Sequence, residues 1–325
     1  MFDVAAARAA LLPIDWADPA PAKGALVDYV RHYGLDFGGR IPGLRHGLGF
    51  IDVSTPQLND YRIAVQLFQV PAPRGTVLVV HGYYDHVGIF DHAIEHLLAR
   101  DFDVVAFDLP GHGLSSGAPA AIDSFMEYQH ALDAVLTGMV QTRLVVPLSV
   151  LVQSTGGAII MEWLLRARAS AASSPFAAVV ALAPLVRPVH WKLNRVLYYL
   201  LRPFRQHIAR QFAVNSHDEK FLRFLREEDP LQSRQLSTRW VGAMKRWIPH
   251  MENATPCDYP LVVVQGDADG TVDWRHNLGV IRMKFPRASV HMIAAARHQL
   301  VNESPEFRAQ VFAVLDQVLP RNDVA

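Results

Sequence analysis

Ser154 lies where a predicted strand passes directly into a predicted helix. The strand SVLVQ (149–153) is followed by Ser154, Thr155, Gly156 and Gly157, and then by the helical run IIMEWLL. A serine at such a turn projects from the sheet edge, where its hydroxyl can attack a carbonyl carbon and the next N–H can hold the developing oxyanion. The pattern G-x-S-x-G is incomplete, because Val152 occupies the place of the first glycine. Alone, this segment is a weak signal, because a serine next to glycine is more often part of an ordinary turn.

A histidine and three aspartates follow the last two predicted strands. SVHMIAA (289–295) leads to His298, and LVVVQG (261–266) leads to Asp267, Asp269 and Asp273. The order serine, aspartate, histidine, each after a successive strand, is one in which hydrolytic triads occur. We therefore predict Ser154 as nucleophile and His298 as general base. The residues leave all three aspartates open as the group that orients the histidine.

Two further loops complete the predicted sheet edge. TVLVV (76–80) runs into His81, Gly82 and Tyr83, and a backbone N–H just beyond this strand is suited to be an oxyanion donor. We predict that the N–H groups of Tyr83 and Thr155 form the oxyanion hole. The segment 108–115, DLPGHGLS, predicts a tight loop in which His112 is structural.

Strand and helix patterns alternate along most of the chain. Strands are predicted at 63–70, 76–80, 103–108, 149–153, 177–183, 261–266 and 289–295, and helices at 90–100, 122–140, 155–168, 274–284 and 305–318. The strands are continuous apolar runs, which is typical of strands covered on both faces. This predicts an α/β class with a mainly parallel, doubly wound sheet. We expect an N-terminal extension (1–60), a catalytic core (61–184 and 251–325) and an inserted all-helical cap (185–250).

Composition excludes several classes of protein. The 325 residues carry a formal net charge of zero, which argues against nucleic-acid binding. One cysteine, Cys257, cannot form an internal disulfide, and the apolar runs are about half the roughly twenty residues of a membrane span. A cytoplasmic protein is expected. No cluster has metal-ligand spacing, so no metal or cofactor is expected.

The chain resembles the monoacylglycerol lipase and lysophospholipase branch of the α/β-hydrolases. HGYYDHVGIF is similar to that branch's HG-x-G-E-H-x-x-x-Y, FDLPGHGLSSG to F-D-x-x-G-H-G-x-S-x-G, and QSTGG to H-S-M-G-G. The resemblance covers about residues 65–318 and implies the α/β-hydrolase fold with a cap, and Asp269 as the acid. Val152 and Tyr84 stand where the motifs have glycine.

The cap segment combines basic and apolar residues. Residues 187–210 contain six basic and no acidic side chains: Arg187, Lys192, Arg195, Arg202, Arg205 and Arg210. An apolar stripe at helical spacing accompanies them and includes Leu197 and Leu201. We predict that Leu197, Leu201 and Tyr84 contact substrate, and that the basic face touches an anionic lipid surface transiently. The alternative is a helix packed on its own domain with a solvated basic face.

The predicted function is hydrolysis of carboxylic esters, with monoacyl lipid-like esters as small-molecule substrates and an acyl-enzyme intermediate. An amide hydrolase of the serine aminopeptidase type is the alternative. It needs an acidic group to hold a free amine, for which the cap offers Glu219, Glu227, Glu228 and Asp229. A non-catalytic scaffold on the same fold is a third possibility. The oligomeric state, the acyl chain length and the alcohol part stay open.

Overall fold

The computed structural model describes residues 2–54, 58–141, 146–201, 204–205 and 207–320, without the side chains of residues 141 and 201. The strands are β1 Arg45–Val53, β2 Tyr61–Gln69, β3 Gly75–Val80, β4 Phe102–Phe107, β5 Leu148–Gln153, β6 Phe176–Leu182, β7 His207–Ala209, β8 Gln235–Ser237, β9 Val262–Gly266 and β10 Ser289–Ile293. The α-helices are α1 Val4–Ala10, α2 Ala25–His32, α3 Asp91–Leu98, α4 Phe125–Gln141, α5 Thr155–Arg166, α6 Trp191–Leu201, α7 Glu219–Glu227, α8 Thr238–Asn253, α9 Trp274–Lys284 and α10 Pro305–Val318. Short 3₁₀ helices span Phe37–Gly39, Val87–Phe90 and Leu300–Asn302.

Eight strands form one sheet in the order β1-β2-β4-β3-β5-β6-β9-β10. Six neighbouring strands, β4, β3, β5, β6, β9 and β10, pair in parallel. By contrast, β1 pairs antiparallel with β2, and β2 pairs antiparallel with β4. Two large apolar clusters lie on the two faces of the sheet, and β3 and β4 are buried along their whole length. The mainly parallel sheet predicted from the continuous apolar runs is confirmed. Its parallel strands bring their carboxyl ends to one edge.

The N-terminal segment contributes an edge strand that the sequence patterns did not predict. β1 pairs with β2 over its full length, from Arg45 to Val53. Its sequence, RHGLGFIDV, contains two glycines that weaken the strand pattern. A Cβ on Gly47 would lie 2.3 Å from Pro19 Cβ, so the glycine permits the N-terminal segment to cross the strand closely. The expected boundary at residue 60 therefore lies between two paired strands.

Residues 185–250 contain helices α6 and α7 and most of α8, which ends at Asn253. The expectation of an all-helical insertion was wrong in one respect, because β7 and β8 form an antiparallel ribbon of three residues a strand. Strands this short carry too few residues to give a period-2 pattern. The ribbon joins the end of α6 to the start of α8.

A buried charged cluster joins the cap to the core and to the N-terminal segment. Asp229 of the cap accepts hydrogen bonds from His86 Nε2 (3.0 Å) and from the Tyr33 hydroxyl (2.6 Å). Burial by itself raises the pKa of Asp229, but the charge of His86 and the hydrogen bonds outweigh it and lower this pKa to about 2. Asp229 is therefore ionised and fixes the end of α7 against the loop after β3.

Cys257 is a buried free thiol. Within the described ranges, no helix is both long and apolar enough to cross a bilayer.

Candidate active site

Ser154 occupies a strained turn between β5 and α5. Its backbone has φ 51° and ψ −109°, a conformation that non-glycine residues rarely adopt. The tight approach of α5 depends on small residues, since a Cβ on Gly156 would lie 2.4 Å from Val80 O and one on Gly157 would lie 2.8 Å from Pro184 Cβ. The turn therefore presents the serine hydroxyl at the carboxyl edge of the sheet.

Val152, which stands where the related motif has its first glycine, packs inside the sheet. Val152 is fully buried in β5, where it pairs with Val80 of β3 and Ala181 of β6. All three side chains belong to apolar core around the sheet. At this position the chain uses a packing residue, and the turn at Ser154 still forms.

His298 and Asp269 extend a hydrogen-bonded line from the serine. Ser154 Oγ lies 3.0 Å from His298 Nε2, and His298 Nδ1 lies 2.7 Å from Asp269 Oδ2. The other oxygen of Asp269, Oδ1, accepts hydrogen bonds from the N–H groups of Thr271 (2.8 Å) and Val272 (3.1 Å). The carboxylate is thus fixed by its own loop, and all three predicted side chains meet at the sheet edge.

The other two aspartates of this loop are engaged elsewhere. Asp267 Oδ1 accepts a hydrogen bond from Ala295 N at 2.6 Å, outside the serine–histidine line. Asp273 caps the first turn of α9 and pairs with Arg187 at 2.8 Å. The structure therefore brings only Asp269 to His298.

Electrostatics favour an ionised Asp269 and a basic His298. Burial is the largest influence on both groups and by itself disfavours their charged forms. It is outweighed at Asp269, whose pKa is lowered by His298 and by the N–H groups of the loop. It is also outweighed at His298, whose pKa is raised by Asp269 and, to a smaller extent, by Asp85. An imidazole of raised pKa is a stronger proton acceptor once it is neutral.

The two residues predicted to supply the oxyanion donors both lie at the cavity that contains Ser154. Tyr83 and Thr155 line the same cavity as Ser154, and neither backbone N–H has a protein acceptor among the described residues. Asp85 Oδ2 accepts a hydrogen bond from Gly82 N at 3.2 Å and holds the turn after β3. Tyr84 has φ 72°, the left-handed conformation that suits the glycine of the related motif.

A second layer of polar side chains positions the histidine loop. Gln153 Nε2 donates to His298 O (3.1 Å) and to Gln299 Oε1 (3.0 Å), and Gln299 Nε2 donates to Asp85 Oδ1 (2.8 Å). This series of hydrogen bonds joins the loops after β3, β5 and β10. Sequence reasoning assigned no role to these residues, although Gln153 precedes the serine and Gln299 follows the histidine.

His81 and His112, in the two glycine-rich loops, form hydrogen bonds with backbone groups. His81 donates from Nδ1 to Gly82 O (2.7 Å) and accepts at Nε2 from Leu109 N (2.9 Å), which fixes a neutral tautomer. His112 Nδ1 donates to Pro110 O at 2.9 Å, and burial lowers the pKa of His112 to about 4. His112 is thus placed as a structural residue, in agreement with the sequence analysis.

Comparison with known proteins places the chain in a family. A family model described as serine aminopeptidase, S33, matches residues 71–305. The chain belongs to this family. Phospholipase YtpA of Bacillus subtilis (strain 168) is 26% identical to this chain over 210 residues, which are 62% of this chain and 78% of that protein.

Solved structures show the same architecture as this S33 family member. The monoacylglycerol lipase of Paleococcus ferrophilus aligns over 79% of this chain and 98% of its own, with a TM-score of 0.66 and 18% identity. A soluble variant of monoglyceride lipase from Saccharomyces cerevisiae, in complex with a substrate analogue, aligns over 82% and 94%, with the same TM-score and identity. At this identity the likeness concerns the fold alone. The chain has the α/β-hydrolase fold.

A cavity of about 500 Å³ opens beside Ser154 and His298. Core and cap both line it, and most of the lining is apolar: Leu185, Trp191, Leu197, Ile208, Trp240 and Val241. Tyr83 stacks on Trp240, with ring centroids 3.8 Å apart, and so closes the wall next to the serine. The cap therefore covers a largely apolar cavity that Ser154 and His298 also line.

Helix α6 is apolar on its outer side as well as towards the cavity. Leu197 lines the cavity, whereas Leu193, Val196 and Leu200 are 58%, 56% and 62% exposed. The apolar residues of this helix therefore do not all face the cavity. The side chain of Leu201, also predicted to contact substrate, lies outside the described residues. Tyr84, the third predicted contact, does line the cavity.

The basic residues of the cap are not one solvated face. Arg187 pairs with Asp273, and Arg210 lines the cavity. Arg202 lies outside the described residues. The remaining three are exposed: Lys192, Arg195 and Arg205.

Proposed function

We propose that this S33 family member is a serine hydrolase that cleaves carboxylic esters, with Ser154 as nucleophile, His298 as general base and Asp269 as the group that orients it. The observation that carries the proposal is the hydrogen-bonded line from Ser154 Oγ through His298 to Asp269, opening on an apolar cavity. The strained turn at Ser154 supports it, because such strain is concentrated at functional sites.

The reaction proceeds in two halves through an acyl-enzyme. His298 Nε2 takes the proton of Ser154 as the oxygen attacks the ester carbonyl, and the N–H groups of Tyr83 and Thr155 hold the oxyanion. The imidazolium gives its proton to the leaving alcohol as the carbon–oxygen bond breaks. Water then attacks the acyl-serine with His298 again as base, which releases the acid and restores the serine. Asp269 holds the required tautomer throughout and stabilises the imidazolium.

The substrate class we propose is a monoacyl ester with a medium or long acyl chain. The apolar lining of the cavity suits such a chain, and a volume of about 500 Å³ is within the range of small-molecule sites. Related proteins bear the names phospholipase and monoacylglycerol lipase.

Amide cleavage of the aminopeptidase type is less well supported by the side chains around the cavity. Asp229 is held by His86 and Tyr33, and the other three candidate acids of the cap are exposed: Glu219, Glu227 and Glu228. Among the described residues, no aspartate or glutamate lines the cavity. Arg210 does line it, and its charge disfavours a substrate's free ammonium group.

A substrate series should separate these functions. Purified protein should hydrolyse p-nitrophenyl decanoate with a higher kcat/KM than p-nitrophenyl acetate, and aminoacyl-anilides should not turn over. The replacement Leu197→Ser should lower kcat/KM for the decanoyl ester about fourfold and leave the acetyl ester within twofold. Each buried methylene is worth about 0.8 kcal/mol, and Leu197 contacts only part of the chain.

The matched control is Leu200→Ser, the same substitution on the outer side of the same helix. It should leave hydrolysis of both esters unchanged, because Leu200 does not line the cavity, whereas Leu197 does. Preferential cleavage of the anilides would reverse the proposal in favour of an aminopeptidase. Equal losses on both esters in the Leu197 variant would mean that this residue supports the helix rather than the acyl chain.

We further propose that the outer side of α6 contacts anionic lipid surfaces transiently. Exposed apolar side chains lie beside exposed Lys192 and Arg195 on this helix. Wild-type protein should co-sediment with phosphatidylserine-containing vesicles at low salt, and Arg195→Gln should weaken this about fivefold, the effect of one basic residue near a charged membrane.

The control for surface binding is Lys220→Gln, an exposed basic residue of the cap that lies on α7. It should weaken sedimentation clearly less than Arg195→Gln. Absence of sedimentation by the wild type at low salt would refute the lipid contact and leave the esterase proposal intact.

A further inference from the structure

Arg210 lies beside the reacting groups. It follows β7 in the cap and lines the cavity that also contains Ser154 and His298. Its guanidinium carbon lies 3.8 Å from the centroid of the Tyr84 ring and 4.4 Å from that of Phe212. Two aromatic rings therefore hold this cation in place.

The charge of Arg210 is not matched by a carboxylate. Its Nη1 donates to Gln232 Oε1 (2.6 Å) and to Ser233 O (3.2 Å), which are neutral acceptors. Within the described part of the chain, Arg210 has no carboxylate within ion-pair distance, and its side-chain hydrogen bonds all come from Nη1, so Nε and Nη2 have no protein acceptor. Nε–H and Nη2–H point the same way from a guanidinium, as a two-pronged donor. That donor pair is left for a ligand.

The other partly buried arginines of the cap differ in this respect. Arg187 lies 2.8 Å from Asp273, and Arg239 Nε lies 2.7 Å from Asp123 Oδ1. Burial lowers the pKa of Arg210, although Tyr84 and Asp85 act against this effect. Holding a cation away from bulk water without a counter-charge is unfavourable unless an anion joins it.

Tyr84 supports the same interpretation from the core side. It occupies the position at which the related motif has glycine, and its φ of 72° is strained for a side chain of this size. The ring that this strained residue carries is the one against which Arg210 packs. The departure from the motif thus supplies one wall of the cation site.

We infer that Arg210 binds an anionic group on the alcohol side of the substrate, and that the group is a phosphate ester. The donor pair matches two oxygens of a phosphate, a geometry that a carboxylate shares. The inference rests on the proposed ester hydrolysis at Ser154 and narrows its substrate to monoacyl esters of a phosphorylated alcohol.

The test compares three soluble esters with one acyl chain: 1-hexanoyl-glycerol, 1-hexanoyl-glycerol 3-phosphate and 3-(hexanoyloxy)propanoate. The wild type should show a higher kcat/KM for the phosphate than for the neutral ester. In Arg210→Gln, the ratio of the two values should drop about 10- to 100-fold, the usual effect of losing a charge-assisted pair of hydrogen bonds. Arg210→Lys keeps the charge but not the pair of donors, so its ratio should lie between those of the wild type and Arg210→Gln.

The matched control is Arg234→Gln. Arg234 also packs on the Phe212 ring, with its guanidinium carbon 5.1 Å from the ring centroid, and does not line the cavity. Its ratio should stay within twofold of the wild type. Fluorophosphonate labelling at the wild-type rate identifies variants whose site has folded, and calorimetric binding of glycerol 3-phosphate reports the anion site without catalysis.

Each outcome decides the inference. Loss of both the phosphate preference and glycerol 3-phosphate binding in Arg210→Gln supports it. An unchanged ratio, or no binding by the wild type, overturns it while ester hydrolysis stands. Preference for the carboxylate ester alone overturns the choice of phosphate. If the wild type binds glycerol 3-phosphate but hydrolyses no ester, the anion site stands and the proposed ester hydrolysis is refuted.

Discussion

Replacing Ser154 with alanine should lower kcat for p-nitrophenyl decanoate about a million-fold, to the background rate of the assay. The variant retains the cavity, the proposed oxyanion donors and His298, but it lacks the oxygen that forms the acyl-enzyme in the proposed mechanism. The chain should stay folded, because alanine only removes a hydroxyl. Rates at saturating ester, alongside a thermal melt of both proteins, measure this.

The control is Ser173→Ala, an exposed serine in a turn distant from the cavity. It should hydrolyse the ester at the wild-type rate. Turnover by Ser154→Ala above one per cent of the wild type would show that another group attacks the ester.

Asp269→Asn should lower kcat about ten-thousand-fold with little change in the fold. The carboxylate holds the His298 Nδ1 proton at 2.7 Å, whereas the asparagine amide can present an N–H there and favour the tautomer that leaves no free Nε2. The loop itself is retained, since the asparagine oxygen can still accept from Thr271 and Val272. Steady-state rates across pH measure the effect.

The same loop provides matched controls for this prediction. Asp267→Asn and Asp273→Asn change one neighbouring carboxylate each, and both should keep kcat within about tenfold. Asp273 contributes to stability, because it pairs with Arg187 and caps α9, so its rates must be taken well below the melting temperature. A large loss of kcat in Asp273→Asn, with kcat retained in Asp269→Asn, would contradict the assignment of Asp269 as the acid.

The fold and the positions of Ser154 and His298 were predictable because the sequence patterns that indicate them are local. Continuous apolar runs mark the buried parallel strands, and the strand order places the residues that follow them at one edge. Ser154 and His298 could be chosen from that placement. Asp269 could not be separated from Asp267 and Asp273 by residues alone. The resemblance to known motifs indicated it, and the structure brings it to His298.

The features that were missed depend on contacts between distant segments. β1 is interrupted by glycines whose use becomes evident only when Pro19 crosses Gly47. Gln153 and Gln299 meet through loops 146 residues apart. Arg210 was grouped with the solvated basic residues of the cap, because its position along the chain does not tell which way the ribbon turns. Such contacts need the folded chain.

The identity of the nucleophile is the most direct test of the account. A fluorophosphonate reacts covalently with an activated serine hydroxyl, and tandem mass spectrometry of the digested adduct locates it. We predict a single modified residue, Ser154, with loss of ester hydrolysis in proportion to the modification. Modification at another residue, or hydrolysis that persists after complete modification of Ser154, would contradict the proposed mechanism.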